Sequence, residues 1–196
     1  MELLDQIKQR RTIRKYTDQK VEREKLEKIV EAGLNAPNAG GGQGVTFIIL
    51  EDAQLIHEIG VVNANVENRN WGGRGVSDAQ PSIIDDLSIK SGFYGCQALA
   101  IACISKQYAG AVNMIGTAFC GLENMVMEAH ELGIGTCIVG RAQDTFAQPG
   151  MQDYLDKWGL PEDKTPIMFL CMGYLDGDYP PYKPRKEDRV IYVNEA

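Results

Sequence analysis

The sequence predicts an α+β fold in which helices wrap one main sheet. Three observations predict it. Four short apolar or β-branched runs stand apart along the chain, as buried strands do. Segments with apolar residues three and four positions apart separate them, as amphipathic helices do. No repeat, low-complexity tract or linker divides the 196 residues, so a single domain spanning 1–196 accommodates the whole series.

The elements follow in order. Leu3, Leu4 and Ile7 share one face of a short first helix. In "VEREKLEKIVEAGLNAP", Leu26, Ile29, Val30 and Gly33 fall at helical spacing, and Pro37 stops the helix by pushing its predecessor out of the helical region. "NAGGGQG" (Asn38–Gly44) is a glycine-rich loop, and "VTFIILE" (Val45–Glu51) is a strand apolar on both faces. "DAQLIHEIGVVNA" reads as a helix. The stretch "NVENRNWGGRGVSDAQPS" (Asn65–Ser82) is polar, glycine-rich and without period; a loop of that length inside a compact domain is functional or mobile, and a flexible active-site loop near 65–82 is expected. "QALAIACI" (Gln97–Ile104) is a buried strand. Asn113–Leu132 is a long helix, apolar nearly all round because Met114, Cys120 and Met127 lie off its main stripe, which suits a central position or a subunit interface. "IGTCIVG" (Ile134–Gly140) and "PIMFLCMGY" (Pro166–Tyr174) are two further buried strands with a helix between them, and "VIYV" (Val190–Val193) is a short extended tail.

Composition excludes several functions. No apolar run approaches the roughly 18 residues that a membrane helix needs, so no membrane partner is expected. Acidic residues interrupt "MELLDQIKQRR", which therefore does not read as a signal peptide. Five cysteines in apolar surroundings read as reduced, buried thiols of a cytoplasmic protein. A net charge of −7 disfavours nucleic acid, whose binding needs a broad basic face. Positive charge is nonetheless concentrated: Lys8, Arg10, Arg11, Arg14 and Lys15 cluster near one end, and Lys183, Arg185, Lys186 and Arg189 near the other. These clusters fit either two solvated charge runs or a small phosphate site.

The chemistry narrows by elimination. His57 and His130 have no ligand partner at useful spacing and no Cys-x-x-Cys occurs, so no metal is expected. There is no Gly-x-Ser-x-Gly, and His130 near Cys120 and Cys137 is a weak signal for a Cys–His nucleophile beside the simpler role of cysteines as small core residues. The glycine loop precedes a strand and lacks the ending of a P-loop. It is either an ordinary helix-to-strand connection or a loop whose backbone N–H groups approach a ligand, with Asn38 and Gln43 as amide partners. Together these parts suit a phosphorylated cofactor held from both ends of the chain.

Four motifs in order give that cofactor a family. "QRRTIRKY" resembles the Arg-x-Ser/Thr-x-Arg opening of the nitroreductase-like flavoproteins. "LNAPNAGGGQGVTFIIL" resembles their loop into the first strand, "EAHELGIGTCIVG" their Leu-Gly-Leu-Gly-Ser/Thr-Cys helix end and strand, and "PPYKPRKEDRVIYV" their closing Lys-x-Arg segment. The resemblance implies a nitroreductase-like fold: a central mixed, mainly antiparallel sheet, a long central helix at a homodimer interface, and a C-terminal tail packed on the partner subunit. It implies FMN at each dimer-interface site, with Arg10, Arg11, Thr12 and Arg14 in contact and Arg10 and Arg185 on the phosphate, where guanidinium forks fit the oxygens. It places Lys183 near the pyrimidine or phosphate and Asn38, Ala39, Gly41 and Gln43 in the loop reaching the other subunit's flavin. Cys137, Ile138, Val139 and Gly140 become the strand end over the isoalloxazine. Thr12 would be a hydroxyl donor among the cations, Ile13 would turn inward, and Lys8 and Lys15 would be solvated.

The chain departs from the family pattern at Gly41, which replaces an asparagine, at Gly44-Val45, which replaces Pro-Trp, and at Val139, where some members carry an acidic residue. Asn68 or Asn70 would supply the family's mid-chain asparagine, and Trp71 would either stack on an acceptor or anchor its loop. The activity implied is an FMN-dependent NAD(P)H oxidoreductase, with ping-pong hydride transfer through flavin N5 to a small nitroaromatic, quinone or flavin acceptor. The rivals are a flavin enzyme that dehalogenates or dehydrogenates a specific metabolite and a non-catalytic flavin-binding or storage protein.

Overall fold

The computed structural model describes residues 2–66 and 91–193. The expected 65–82 loop, with Asn68, Asn70 and Trp71, lies outside the described residues from position 67 on.

Four strands form the sheet: β1 (Thr46–Leu50), β2 (Ala98–Ser105), β3 (Gly135–Val139) and β4 (Lys164–Gly173), in the order β1-β2-β4-β3. Every strand pair is antiparallel. The parallel component is confined to an isolated bridge between Thr12 and Thr136 at the β3 edge. The helices are α1 (Leu3–Gln9), α2 (Arg23–Leu34), α3 (Ala53–Asn65), α4 (Val112–Glu131), α5 (Ala142–Phe146) and α6 (Gln152–Lys157). The single helix expected between the last two strands is thus two short ones.

Residue size on β2 explains the layering. Alternate side chains of a strand face opposite sides of the sheet. Leu99, Ile101 and Cys103 enter one core with Ile56 and Ile59 of α3, Phe146 of α5 and Phe169 of β4. Ala98, Ala100 and Ala102 enter the other core with Leu26 and Ile29 of α2 and Leu122 and Met125 of α4. Small side chains on that face leave room for α4. The α2–α4 crossing is close because glycines face it: a Cβ on Gly33 would stand 2.6 Å from Met125 Cγ, and one on Gly121 would stand 3.3 Å from Gly33 O.

Local side chains set two helix ends, of which the sequence reading anticipated the stop before Pro37. The Asp52 side chain caps α3 by accepting from Gln54 N at 2.9 Å and Leu55 N at 3.2 Å. α2 stops at Leu34, before Pro37. Apolar residues near both ends of the described chain lie at the surface. Leu3, Leu4 and Ile7 of α1 are exposed, and so are Val190–Val193, which form no strand. Val112 and Phe119 of α4 are exposed too, so one side of the long helix faces outward within a single chain.

Candidate functional site

The cationic N-terminal segment is hooked onto β3. Ile13 N donates to Thr136 O at 2.9 Å, Thr17 N to Tyr174 O at 2.9 Å, and Asp176 N to Lys15 O at 3.2 Å. Ile13 anchors the segment: it is 2% exposed and lies where a Cβ on Gly135 would be, 2.7 Å from its Cγ1. Tyr16 is buried beside it and donates its hydroxyl to Ile13 O at 2.7 Å. Thr12 and Arg14, on either side of Ile13, are half-buried. Lys8 and Lys15 are exposed, as expected of solvated neighbours.

Beside the segment lies a cavity of about 220 Å³ lined by Arg10, Arg11, Ile13, His130, Thr136, Leu175 and Tyr179, among others. His130, at the end of α4, was not singled out by sequence reasoning for this place. Burial holds its pKa below the usual histidine value, and the Arg10 guanidinium lowers it further. The only sequence signal for it is its position three residues before the Gly133 turn, which carries the chain from α4 back to β3.

Arg10 and Arg11 diverge. Arg11 is spent on protein groups: Nη1 donates to the carbonyls of Lys8, Gln9 and Arg10 at 2.7, 2.9 and 2.9 Å, and Nε to Pro181 O at 3.3 Å. Its guanidinium also lies 5.1 Å from the Tyr182 ring centroid. Arg14 has the opposite character. Its Nε is buried and, among the described residues, has no hydrogen-bond partner. The guanidinium lies beside Cys137 and Tyr94, whose pKa values burial raises and Arg14 partly restores. A buried N–H of a charged group left without an acceptor costs free energy, so it marks a place for one.

Cys137 stands directly across from Cys171 in the β3–β4 register, with Ile138, Val139 and Gly140 running half-buried toward the strand end. Cys96, Cys103, Cys137 and Cys171 are free, buried thiols, whereas Cys120, expected to be buried with them, is exposed on α4; among the described residues no group of His, Cys, Asp and Glu side chains could hold a metal. Lys183 and Arg185 are exposed and do not line the cavity. The contacts of Tyr179 and Pro181 with residues 9–11 nevertheless bring their segment alongside. Four residues from Pro181 span at most roughly 14 Å, so Arg185 lies within that reach of Pro181.

The glycine loop forms a second, separate centre. Asn38 Oδ1 accepts from Gln43 N at 2.9 Å and closes it, while Gly40 and Gly41 take positive φ values of 61° and 68° that favour glycine. Thr117 of α4 accepts from Ala39 N at 3.1 Å, a support that the sequence did not reveal. Ala39, Gly40, Gly42, Gly44, Tyr108, Asn113 and Thr117 help line a cavity of about 440 Å³. Thr117 and His130 sit thirteen residues apart on one helix, or about 20 Å at 1.5 Å per residue. One chain therefore does not bring its glycine loop to its arginine segment.

Comparison with known proteins places this arrangement. Residues 7–174 match the model of the Nitroreductase family. The FMN reductase [NAD(P)H] of Bacillus subtilis is 40% identical over 202 residues, covering 100% of this chain and 74% of that protein. The NADPH-flavin oxidoreductase of Vibrio harveyi is 22% identical over 201 residues, covering 96% and 71%. Among solved structures, a nitroreductase with bound FMN from Desulfitobacterium hafniense superposes with a TM-score of 0.80 at 20% identity, covering 99% of this chain and 100% of that one. One from Bacteroides fragilis gives 0.77 at 24% identity, covering 99% and 100%.

Proposed function

The chain belongs to the nitroreductase family, and from that premise we propose that it is an FMN-dependent NAD(P)H oxidoreductase whose cofactor lies along the Arg10–Arg14 segment. The observation that carries this reading is Arg10 lining a cavity on the same short segment as Arg14, whose buried Nε has no hydrogen-bond partner among the described residues. These residues fit the group. Arg10 offers a guanidinium to a phosphomonoester, Thr12 a hydroxyl donor, and Arg14 a fixed positive charge with one N–H left for an acceptor. Arg185 and Lys183 would join from the C-terminal segment. FMN, when bound, supplies the hydride chemistry that links a nicotinamide donor to an electron-poor acceptor such as a nitroaromatic, a quinone or a free flavin. The protein's part is to hold the ring, place positive charge beside it and leave one face open to the two substrates in turn.

The site is completed by a second copy of the chain. The 20 Å separation of glycine loop and arginine segment along α4 supports this reading, because the loop can then serve the partner's cofactor. The exposed apolar residues of α1, of α4 and of the Val190–Val193 tail supply surface for the pairing.

An absorption spectrum of the purified protein before and after addition of NADPH or NADH tests the proposal. It expects a yellow protein that either nicotinamide bleaches and that a quinone recolours. A yellow protein that neither nicotinamide reduces points instead to one of the rival flavin roles, and a colourless one that takes up no FMN overturns the reading altogether. The dimer expects a solution mass twice that of the 21.6 kDa chain.

A further inference from the structure

Asn63, on α3, is fully buried and lines neither cavity described above. Its polar atoms nevertheless converge on the turn that follows β3. Nδ2 donates to Gly140 O at 3.1 Å and to Thr145 Oγ1 at 3.0 Å. Oδ1 accepts from Arg141 Nη2 at 3.0 Å. Thr145 closes the ring by donating from Oγ1 to Arg141 O at 2.7 Å.

This ring surrounds a strained residue. Arg141 has φ 67° and ψ 26°, the left-handed region that a non-glycine residue enters only at a cost. Such a conformation persists only where its surroundings over-determine it, and four hydrogen bonds at one turn do so here. The amide is packed in as well as bonded: a Cβ on Gly92 would stand 2.3 Å from Asn63 Oδ1, so the segment entering β2 closes against it. Peptide units are planar, and the described chain has no cis bond. Holding the Gly140 carbonyl toward α3 therefore fixes the plane of the Gly140–Arg141 peptide and the direction in which the end of β3 presents its backbone.

We propose that Asn63 is a positioning residue that sets the orientation of the Val139–Gly140 strand end toward the flavin ring; this rests on the functional reading above. A buried asparagine at this place is expensive unless its bonds are used, and it spends them on the turn after the site. Asn63 acts through Gly140 and Arg141 and itself touches no substrate or cofactor.

The test compares Asn63→Leu, which keeps the volume and removes the amide, with Thr145→Val, which removes one hydroxyl of the ring. Asn65→Ala serves as control, since among the described residues the Asn65 side chain bonds only Val61 O, one turn back on the exposed side of α3. FMN affinity, the visible spectrum of the bound flavin and the rate of bleaching by NADPH are measured on each. Asn63→Leu is expected to hold FMN within about threefold of the parent, to shift the flavin band, and to bleach about tenfold more slowly, the loss equal to one positioning interaction. Thr145→Val shifts the band in the same direction by less, and Asn65→Ala leaves it alone. A folded Asn63→Leu with the parent's spectrum and bleaching rate overturns the proposal while leaving the flavin assignment intact. So does a variant whose only defect is lost FMN, cured by excess FMN, and so does failure of both ring variants to fold. A parent protein that takes up no FMN overturns both readings at once.

Discussion

The guanidinium of Arg11 lies 5.1 Å from the ring centroid of Tyr182, so an arginine of the cationic N-terminal cluster is a clasp for the C-terminal segment. Its Nε donation to Pro181 O and the acceptance by Tyr179 Oη from Arg11 N belong to the same clasp. An exposed cation–π contact is worth about 0.5–1 kcal/mol, and the hydrogen bonds add to it.

Arg10 and Arg11 are therefore expected to separate by phenotype. Arg10→Ala lowers FMN affinity about 10- to 100-fold, the loss of one charge-assisted contact of roughly 1.5–3 kcal/mol, and leaves protease resistance of residues 176–193 unchanged. Arg11→Ala speeds cleavage in that segment and costs less affinity. Fluorescence titration with FMN and limited proteolysis, run side by side, check the split; equal effects of the two variants on both readouts contradict it.

Thr117 holds the glycine loop from α4. Thr117→Val keeps the shape but takes the acceptor from Ala39 N, at a cost of about 1–3 kcal/mol if no water replaces it. Faster proteolysis at residues 38–44 and weaker FMN retention are expected. Under the proposal that the loop serves the partner's site in a dimer, retention is expected to fall more steeply on dilution than in the parent. A variant with parental dilution behaviour removes the loop from the partner's site.

Gly135 and Gly110 give opposite expectations for the same change. A Cβ on Gly135 meets Ile13 Cγ1, Cβ and Cγ2 at 2.7, 2.9 and 2.9 Å, and Ile13 is buried with no room to yield. Gly135→Ala is expected to cost about 1–3 kcal/mol and to loosen FMN, because Ile13 carries Thr12 and Arg14 with it. Gly110 has open space around its missing Cβ, so Gly110→Ala changes stability by less than about 1 kcal/mol, in the stabilising direction. Thermal melts of the two variants decide the matter.

Stability should fall in alkali. Burial pushes the Cys103 thiol up to about 12 and raises the Cys137 and Cys171 thiols and the Tyr16 phenol. Each is neutral when protonated, so above about pH 8.5 the unfolded chain releases protons that the native chain keeps. The unfolded state then binds fewer protons and stability falls as pH rises, by at most about 1.4 kcal/mol per pH unit for each such group. The stabilisation is complete below pH 8. Urea midpoints at pH 7.5, 9 and 10.5 under reducing conditions should decrease in that order; a constant or rising midpoint counts against burial of these groups.

Periodicity made the four strands, the long helix and the α2 stripe legible, because the side chains that face a core must recur at the spacing of the element. Ile13 could be read as inward and Lys15 as solvated from their place in the "QRRTIRKY" motif, and Lys8 as solvated just before it, and the structure agrees on all three. The outward faces of α1 and α4 were less legible: apolar spacing marks a face to be covered but does not say whether this chain or another covers it.

The sequence by itself determined the layers, the family motifs and the cationic segment, since each depends on residues close together along the chain. Only the tertiary structure decided which arginine does what. It turned Arg11 to Tyr182, left Arg14 Nε without an acceptor among the described residues, set His130 beside Arg10 and drew Asn63 onto Gly140. Those pairings join residues remote in sequence, and a guanidinium or amide carries no periodic signal for its partner. Its role is fixed by which donors and acceptors folding leaves within about 3 Å of it.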